Sequence, residues 1–306
     1  MRARALVLLV TSALVAGCGG SAANEARQRP ALELKGLPSG GLIDIGGRRL
    51  YVECVGSGSP TVLLQAGFGG ASQDWENVEP TLGRTTRTCA YDRAGLGASD
   101  PIPGVHDAGD EIRDLERLLE RARIEPPYVL VGHSYGGLLT RLFASAHPGE
   151  TRGVVLVDAV GRDAYRRELA AWPRSIAPAQ RRALARPVDQ GVDLRASTAL
   201  DKEVRSLGDT PLVVITAASE HELDGDVPPI IYRIGMRLWR RMQAELTTLS
   251  SDHAHVVALR SDHFIQDAQP DVVVQAVRAV VRAARDGAPL PPCARIFTGP
   301  DVRCLA

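Results

Sequence analysis

Residues Tyr128-Val129-Leu130-Val131-Gly132-His133-Ser134-Tyr135-Gly136-Gly137 run an apolar stretch of strand length into Gly-x-Ser-x-Gly and on into a helix-forming segment. A serine at such a strand-to-helix turn sits on a tight, strained bend, and the flanking glycines remove side chains that would collide with the neighbouring strand and helix. Its hydroxyl then stands at a helix N-terminus, where unpaired N–H groups favour developing negative charge. That arrangement suits attack on a carbonyl with Ser134 as nucleophile, if an imidazole takes the proton and a carboxylate orients the imidazole. The bland reading of the same residues is a buried glycine-rich strand end.

Seven histidines compete for the role of base. His133 adjoins Ser134, but its side chain leaves the turn in another direction. His253 and His255 open an apolar strand, at the wrong end of a sheet for a site on its carboxyl edge. His263 follows that strand within Ser261-Asp262-His263-Phe264. For the carboxylate, Asp158 directly ends the apolar run Val154–Val157, and a charge after a buried strand needs a partner that a histidine N–H can supply. Glu220, in a loop that also carries Glu222 and Asp224, is the alternative acid, and Asp158 also fits a plain cap on the following turn.

These residues need a scaffold that brings distant loops to one edge. From Leu42 to Arg285, apolar runs of strand length alternate with helix-period segments, which is the pattern of an α/β fold with a mostly parallel sheet and helices on both faces. Leu42–Ile45 and Leu50–Val55, separated by Gly46-Gly47, read as an opening hairpin. The later strands are expected at 61–65, 87–91, 128–131, 154–157, 212–216 and 255–259, and helices near 72–82, 108–123, 136–146 and 270–284. In the helix near 108–123, Ile112, Leu115, Leu118 and Leu119 recur at three- and four-residue steps. Residues 162–207 break the alternation: they are rich in Arg, Ala and Leu, are interrupted by Pro173, Pro178 and Pro187, and offer no strand. They read as a small helical cap inserted over the carboxyl ends of the sheet. Trp75, Trp172 and Trp239 are candidates to line a pocket beneath it or simply to pack.

With the nucleophile turn in this setting, residues 42–285 resemble the α/β-hydrolase fold family. The segment Leu63-Leu64-Gln65-Ala66-Gly67-Phe68-Gly69-Gly70 occupies the place of that family's oxyanion segment, with Gln65-Ala66 where a histidine usually stands. The resemblance implies an oxyanion hole made by the main-chain N–H groups of Phe68 and Tyr135. Tyr91-Asp92-Arg93-Ala94-Gly95-Leu96-Gly97-Ala98-Ser99-Asp100 resembles the family's turn after the fourth strand, with Asp92 expected to satisfy backbone donors. The family's order of nucleophile, acid and then histidine implies His263 as base. The implied activity is hydrolysis of carboxylic esters or related acyl bonds of a small molecule, with no metal or organic cofactor. A peptidase resembling proline iminopeptidases is the alternative, with Glu220, Glu222 and Asp224 as an anionic pocket for a peptide amine. A non-catalytic binding protein on the same scaffold is the second alternative. Serine rather than aspartate at 134 argues against the branches that cleave epoxides or haloalkanes through a carboxylate ester.

The amino-terminal end predicts an address. Arg2 and Arg4 precede an apolar run from Ala5 to Ala16 that is too short to span a bilayer, and Val15-Ala16-Gly17-Cys18 resembles the lipobox of bacterial lipoproteins. Residues 1–17 are then a signal peptide, Cys18 the lipid-attachment residue, residues 18–38 a flexible tether, residues 39–285 the hydrolase domain and residues 286–306 a disulfide-closed tail. Outside the cytosol thiols tend to pair, and the four remaining cysteines are expected as Cys54–Cys89 and Cys293–Cys304, although three connectivities are open. Lys and Arg total 36, as do Asp and Glu, so no net basic charge points to nucleic acid. The membrane is expected as a partner through the lipid anchor alone.

Overall fold

A computed structural model describes residues 40–171, 188–189, 191–204, 206–218 and 229–305. The expected signal peptide at 1–17, Cys18, the expected tether at 18–38, residue 39, Trp172, Glu220, Glu222 and Asp224 lie outside the described residues.

The strands are β1 (Gly41–Asp44), β2 (Arg49–Val55), β3 (Thr61–Gln65), β4 (Thr88–Tyr91), β5 (Tyr128–His133), β6 (Thr151–Val157), β7 (Val188–Asp189), β8 (Val192–Asp193), β9 (Leu212–Ala217), β10 (His253–Ala258) and β11 (Val302–Leu305). Among the described residues nine of them form one sheet in the order β1-β2-β4-β3-β5-β6-β9-β10-β11. Every pairing from β4 through β10 is parallel, and the antiparallel ones are β1–β2, β2–β4 and β10–β11. The principal helices are α1 (Ala108–Arg121), α2 (Tyr135–Ala146), α3 (Ala164–Ala171), α4 (Leu194–Leu200), α5 (Pro229–Thr247) and α6 (Pro270–Asp286).

The central strands are buried at nearly every position because both sheet faces are covered. Successive side chains still alternate between two cores: Leu130, Leu156 and Val214 pack with α1, α2 and α5, whereas Val131, Val155 and Ile215 pack with α6 and with Trp75 and Val78. Local chemistry sets the helix ends. Asp107 and Asp110 form a reciprocal capping box at the start of α1. Pro270 opens α6, and Gly287, left-handed at φ 59°, closes it.

Four expectations need correction. The interval 162–207 does contain strand: β7 and β8 pair as a two-residue ladder, joined to the rest of the domain by a bridge between His106 and Val192. A ladder this short carries no readable alternation. The stretch near 72–82 is two separate turns, a 3-10 turn at Ser72–Trp75 and a single α turn at Glu79–Leu82. Helix α5 was not expected, although Met236, Trp239, Met242 and Leu246 give it a buried stripe at helical spacing. Residues 286–306, read as a tail, hold a one-turn helix at Cys293–Ile296 and the edge strand β11. The disulfides are Cys54–Cys89, between facing positions of β2 and β4, and Cys293–Cys304, which ties that one-turn helix to β11.

The described part of the interval 162–207 is docked onto α2 by a buried pair. Arg141 of α2 donates from Nη2 to Asp201 Oδ2 at 2.8 Å and from Nε to Oδ1 at 3.2 Å, with neither side chain exposed. The Tyr135 hydroxyl donates to Ser197 Oγ of α4 at 3.3 Å, so a helix of this interval touches the residue that follows the candidate nucleophile.

Candidate active site

Ser134 lies between β5 and α2 at φ 52° and ψ −117°, a conformation that costs energy for any residue with a Cβ. Its backbone is held on both sides: its N–H donates to Val157 O at 3.0 Å, and its carbonyl accepts from Gly137 N at 3.0 Å and Val160 N at 2.9 Å. The glycine spacing follows from crowding. A Cβ on Gly132 would stand 2.4 Å from the Gly136 carbonyl oxygen, and one on Gly136 would stand 2.2 Å from that of Gln65. The Ser134 Oγ is buried and makes no hydrogen bond among the described residues. Such contacts in ligand-free sites often close only when a reactant binds.

His263 sits in the loop after β10 and packs against this turn. Its ring centroid is 4.5 Å from that of His133, and its carbonyl accepts from His133 Nε2 at 2.8 Å. A carbonyl can only accept, so His133 carries its proton on Nε2 and presents Nδ1 to the Gln266 amide, 3.4 Å away. His133 thus braces the His263 loop from within the Ser134 turn.

Asp158, fully buried and left-handed at φ 39°, follows β6 directly. Its Oδ2 lies 2.8 Å from His263 Nδ1, while Oδ1 accepts from Trp239 Nε1 at 3.0 Å and from Ala217 N at 3.1 Å. A carboxylate removed from water needs this many donors. The pairing puts the proton of neutral His263 on Nδ1 and leaves Nε2 as the basic nitrogen. Of the two acids considered, Asp158 is therefore the one found beside His263, and Glu220 lies outside the described residues. Trp239 was not singled out as an Asp158 ligand, because nothing in its own stretch of sequence tells that its indole reaches the end of β6.

The segment Ala66-Gly67-Phe68 leaves β3 beside the same turn. A Cβ on Gly67 would fall 2.8 Å from His133 Nδ1 and 3.4 Å from Ser134 Cβ, so only glycine allows the two loops to meet. Neither the Phe68 nor the Tyr135 N–H donates to an acceptor among the described residues, and the two rings meet edge to face at 5.7 Å. Burial pushes the Tyr135 phenol well above its ordinary range, so it stays neutral. Asp92 spends its carboxylate on backbone donors, Ser72 N at 2.7 Å and Ala98 N at 2.9 Å. Of the other aromatic candidates, Trp75 is wholly buried on the far side of the sheet.

A parallel sheet in this order, with a strained serine at the end of β5 and a histidine–aspartate pair from the loops after β10 and β6, defines an α/β-hydrolase-fold protein. Residues 60–211 match the family model described as alpha/beta hydrolase fold. Bacillus subtilis YqjL is 27% identical over 236 residues, covering 77% of this chain and 89% of its own. Further curated relatives, 30–38% identical, are matched over only 19–45% of their own length. Among solved structures, the thermophilic esterase from Thermogutta terrifontis superposes with a TM-score of 0.55 at 21% identity, covering 81% of this chain and 99% of the esterase. The haloalkane dehalogenase DatA from Agrobacterium tumefaciens C58 superposes with a TM-score of 0.57 at 17% identity, covering 80% and 97%. At these identities the likeness is one of fold, and the reaction must be argued from the residues in place.

Proposed function

We propose that the chain is a serine hydrolase that cleaves carboxylic esters, or related acyl bonds, of small molecules. The observation that carries this reading is the 2.8 Å contact of the buried Asp158 carboxylate with His263 Nδ1, beside a serine held at φ 52°. His263 Nε2 takes the Ser134 proton as Oγ bonds to the carbonyl carbon, and the carbonyl π pair moves onto oxygen, facing the Phe68 and Tyr135 amides. Collapse of that oxyanion expels the alcohol, which leaves with the proton from His263. Water, deprotonated in turn by His263, attacks the acyl-serine, and the acid departs as Ser134 regains its proton. A serine nucleophile also separates this chain from dehalogenase chemistry, which needs a carboxylate that can form an alkyl ester.

A fluorophosphonate probe tests the nucleophile. Wild-type protein is expected to be labelled at Ser134, Ser134→Ala to remain unlabelled and His263→Ala to label far more slowly; equal labelling of wild type and Ser134→Ala overturns the reading. p-Nitrophenyl esters of increasing chain length, run beside aminoacyl anilides, separate esterase from peptidase specificity.

Export and lipid attachment through Cys18 complete the proposal, supported by the short apolar run and the Val15–Cys18 pattern. No helix among the described residues is long and apolar enough to cross a membrane. Cys18→Ser is expected to give an exported protein released into the soluble fraction, whereas retention of that variant on membranes after a high-salt wash would exclude lipid anchoring.

A further inference from the structure

We propose that Arg93 is a positioning residue of the acyl-transfer site, its guanidinium holding the Gly67–Phe68 peptide in the one orientation that lets the Phe68 N–H meet the oxyanion. The inference rests on the reading of Ser134 as nucleophile. Arg93 lies in the turn after β4 and is almost wholly buried, at 4% exposure. It donates from Nη1 to Ala66 O at 2.7 Å and from Nη2 to Gly67 O at 2.6 Å, so one planar cation grips two consecutive carbonyls of the loop that follows β3. Gly67 O also accepts from Gly70 N at 3.1 Å. In a trans peptide the C=O and N–H point in opposite directions. Fixing Gly67 O toward Arg93 therefore turns the Phe68 N–H the other way, and reversing that peptide would break two hydrogen bonds, one of them charge-assisted.

The cation is itself held in place. Glu111 Oε1 of α1 stands 3.3 Å from Arg93 Nε and 3.8 Å from His106 Nε2, and the guanidinium carbon lies 5.4 Å from the centroid of the Tyr135 ring. A buried arginine is expensive unless each contact is geometrically good, and an apolar side chain of similar volume often fills such space at no loss of stability. A core-filling role therefore does not account for a charge placed on two adjacent carbonyls of this loop. Lysine, a point charge without the fork, cannot reproduce both contacts.

The test measures ester turnover and reversible inhibition by a 1,1,1-trifluoro-2-alkanone in wild type, Arg93→Met and Arg93→Lys. This ketone reports on the oxyanion site directly: Ser134 Oγ adds to its carbonyl carbon, the serine proton passes to His263 and the negative charge stays on the former carbonyl oxygen. Arg93→Met is expected to lower kcat by ~10²–10³, the range for loss of one oxyanion donor. KM should stay within about threefold, and trifluoroketone affinity should weaken in parallel with kcat. Arg93→Lys, which preserves the charge and protects against failure to fold, is expected to lose about tenfold in both quantities, as one of two carbonyl contacts is given up. Unchanged kcat and ketone affinity in Arg93→Lys overturns the assignment, as does a loss confined to KM. A wild type that neither takes up fluorophosphonate nor binds the ketone defeats the Ser134 reading instead.

Discussion

Asp158 is satisfied from three directions, and each donor is expected to count differently. Asp158→Asn keeps the shape but presents an amide that can donate to His263 Nδ1 and so favour the wrong tautomer; turnover is expected to fall by ~10³–10⁴. Trp239→Phe removes one donor to Oδ1 while Ala217 N and His263 remain. It is expected to cost about tenfold in kcat with little change in KM, in keeping with one hydrogen bond to a charged group. Steady-state kinetics on a p-nitrophenyl ester check both, and a Trp239→Phe enzyme with wild-type kcat would show the indole to be only packing. Ser134, Asp158 and His263 were legible because each is marked by its immediate neighbours: a glycine pair around the serine, an apolar run ending in aspartate, a loop after an apolar strand. The indole of Trp239 was not, since its partner lies 81 residues earlier in the chain. Arg93 was visible only as part of a turn motif, and its grip on Ala66 and Gly67 depends on how two loops meet in space.

Strands and helices were legible where burial on both faces or a strong stripe left a pattern in the residues. β3, β5, β6 and β9 each contain an unbroken apolar run of three or more residues, and α1 shows its buried stripe plainly. Helix α5 hides behind Pro228, Pro229 and Gly235 at its start and the arginines at 233, 237, 240 and 241, so its stripe of Met236, Trp239, Met242 and Leu246 reads weakly. The docking of the interval 162–207 onto α2 was equally hidden, because Arg141 and Asp201 are sixty residues apart. Breaking that pair is expected to be severe: Asp201→Ala strands a fully buried guanidinium and should cost about 3–5 kcal/mol, read from urea unfolding. The double replacement Arg141→Met with Asp201→Leu should recover most of the loss. If the single variant unfolds at the wild-type midpoint, the pair does not hold the α4 segment to α2.

For the molecule as a whole, stability is tied to pH through His255. Burial, reinforced by the nearby His253, pushes its imidazole down to about 4, and the neutral ring meets Thr216 Oγ1 at 2.8 Å. In the unfolded chain the group titrates near 6.5, so between pH 6.5 and about 4 the unfolded state binds more protons. The stabilisation is complete above that window and is lost as pH falls through it, by up to about 3 kcal/mol. Chemical unfolding of wild type and His255→Gln across the window should show a shallower acid limb in the variant; coincident limbs would assign acid sensitivity to other groups. The overall architecture followed from alternation of runs, but where the sheet stops did not: Val302–Leu305 follows a Gly-Pro turn at the very end of the chain and is too short to signal a strand. That last strand has a practical consequence. It covers the outer row of N–H and C=O groups on β10 and is itself fastened by the 293–304 disulfide. A thiol reductant during purification loosens the fastening, favours exposure of the β10 edge to other molecules and invites strand-to-strand aggregation, even while the arrangement around Ser134 is intact.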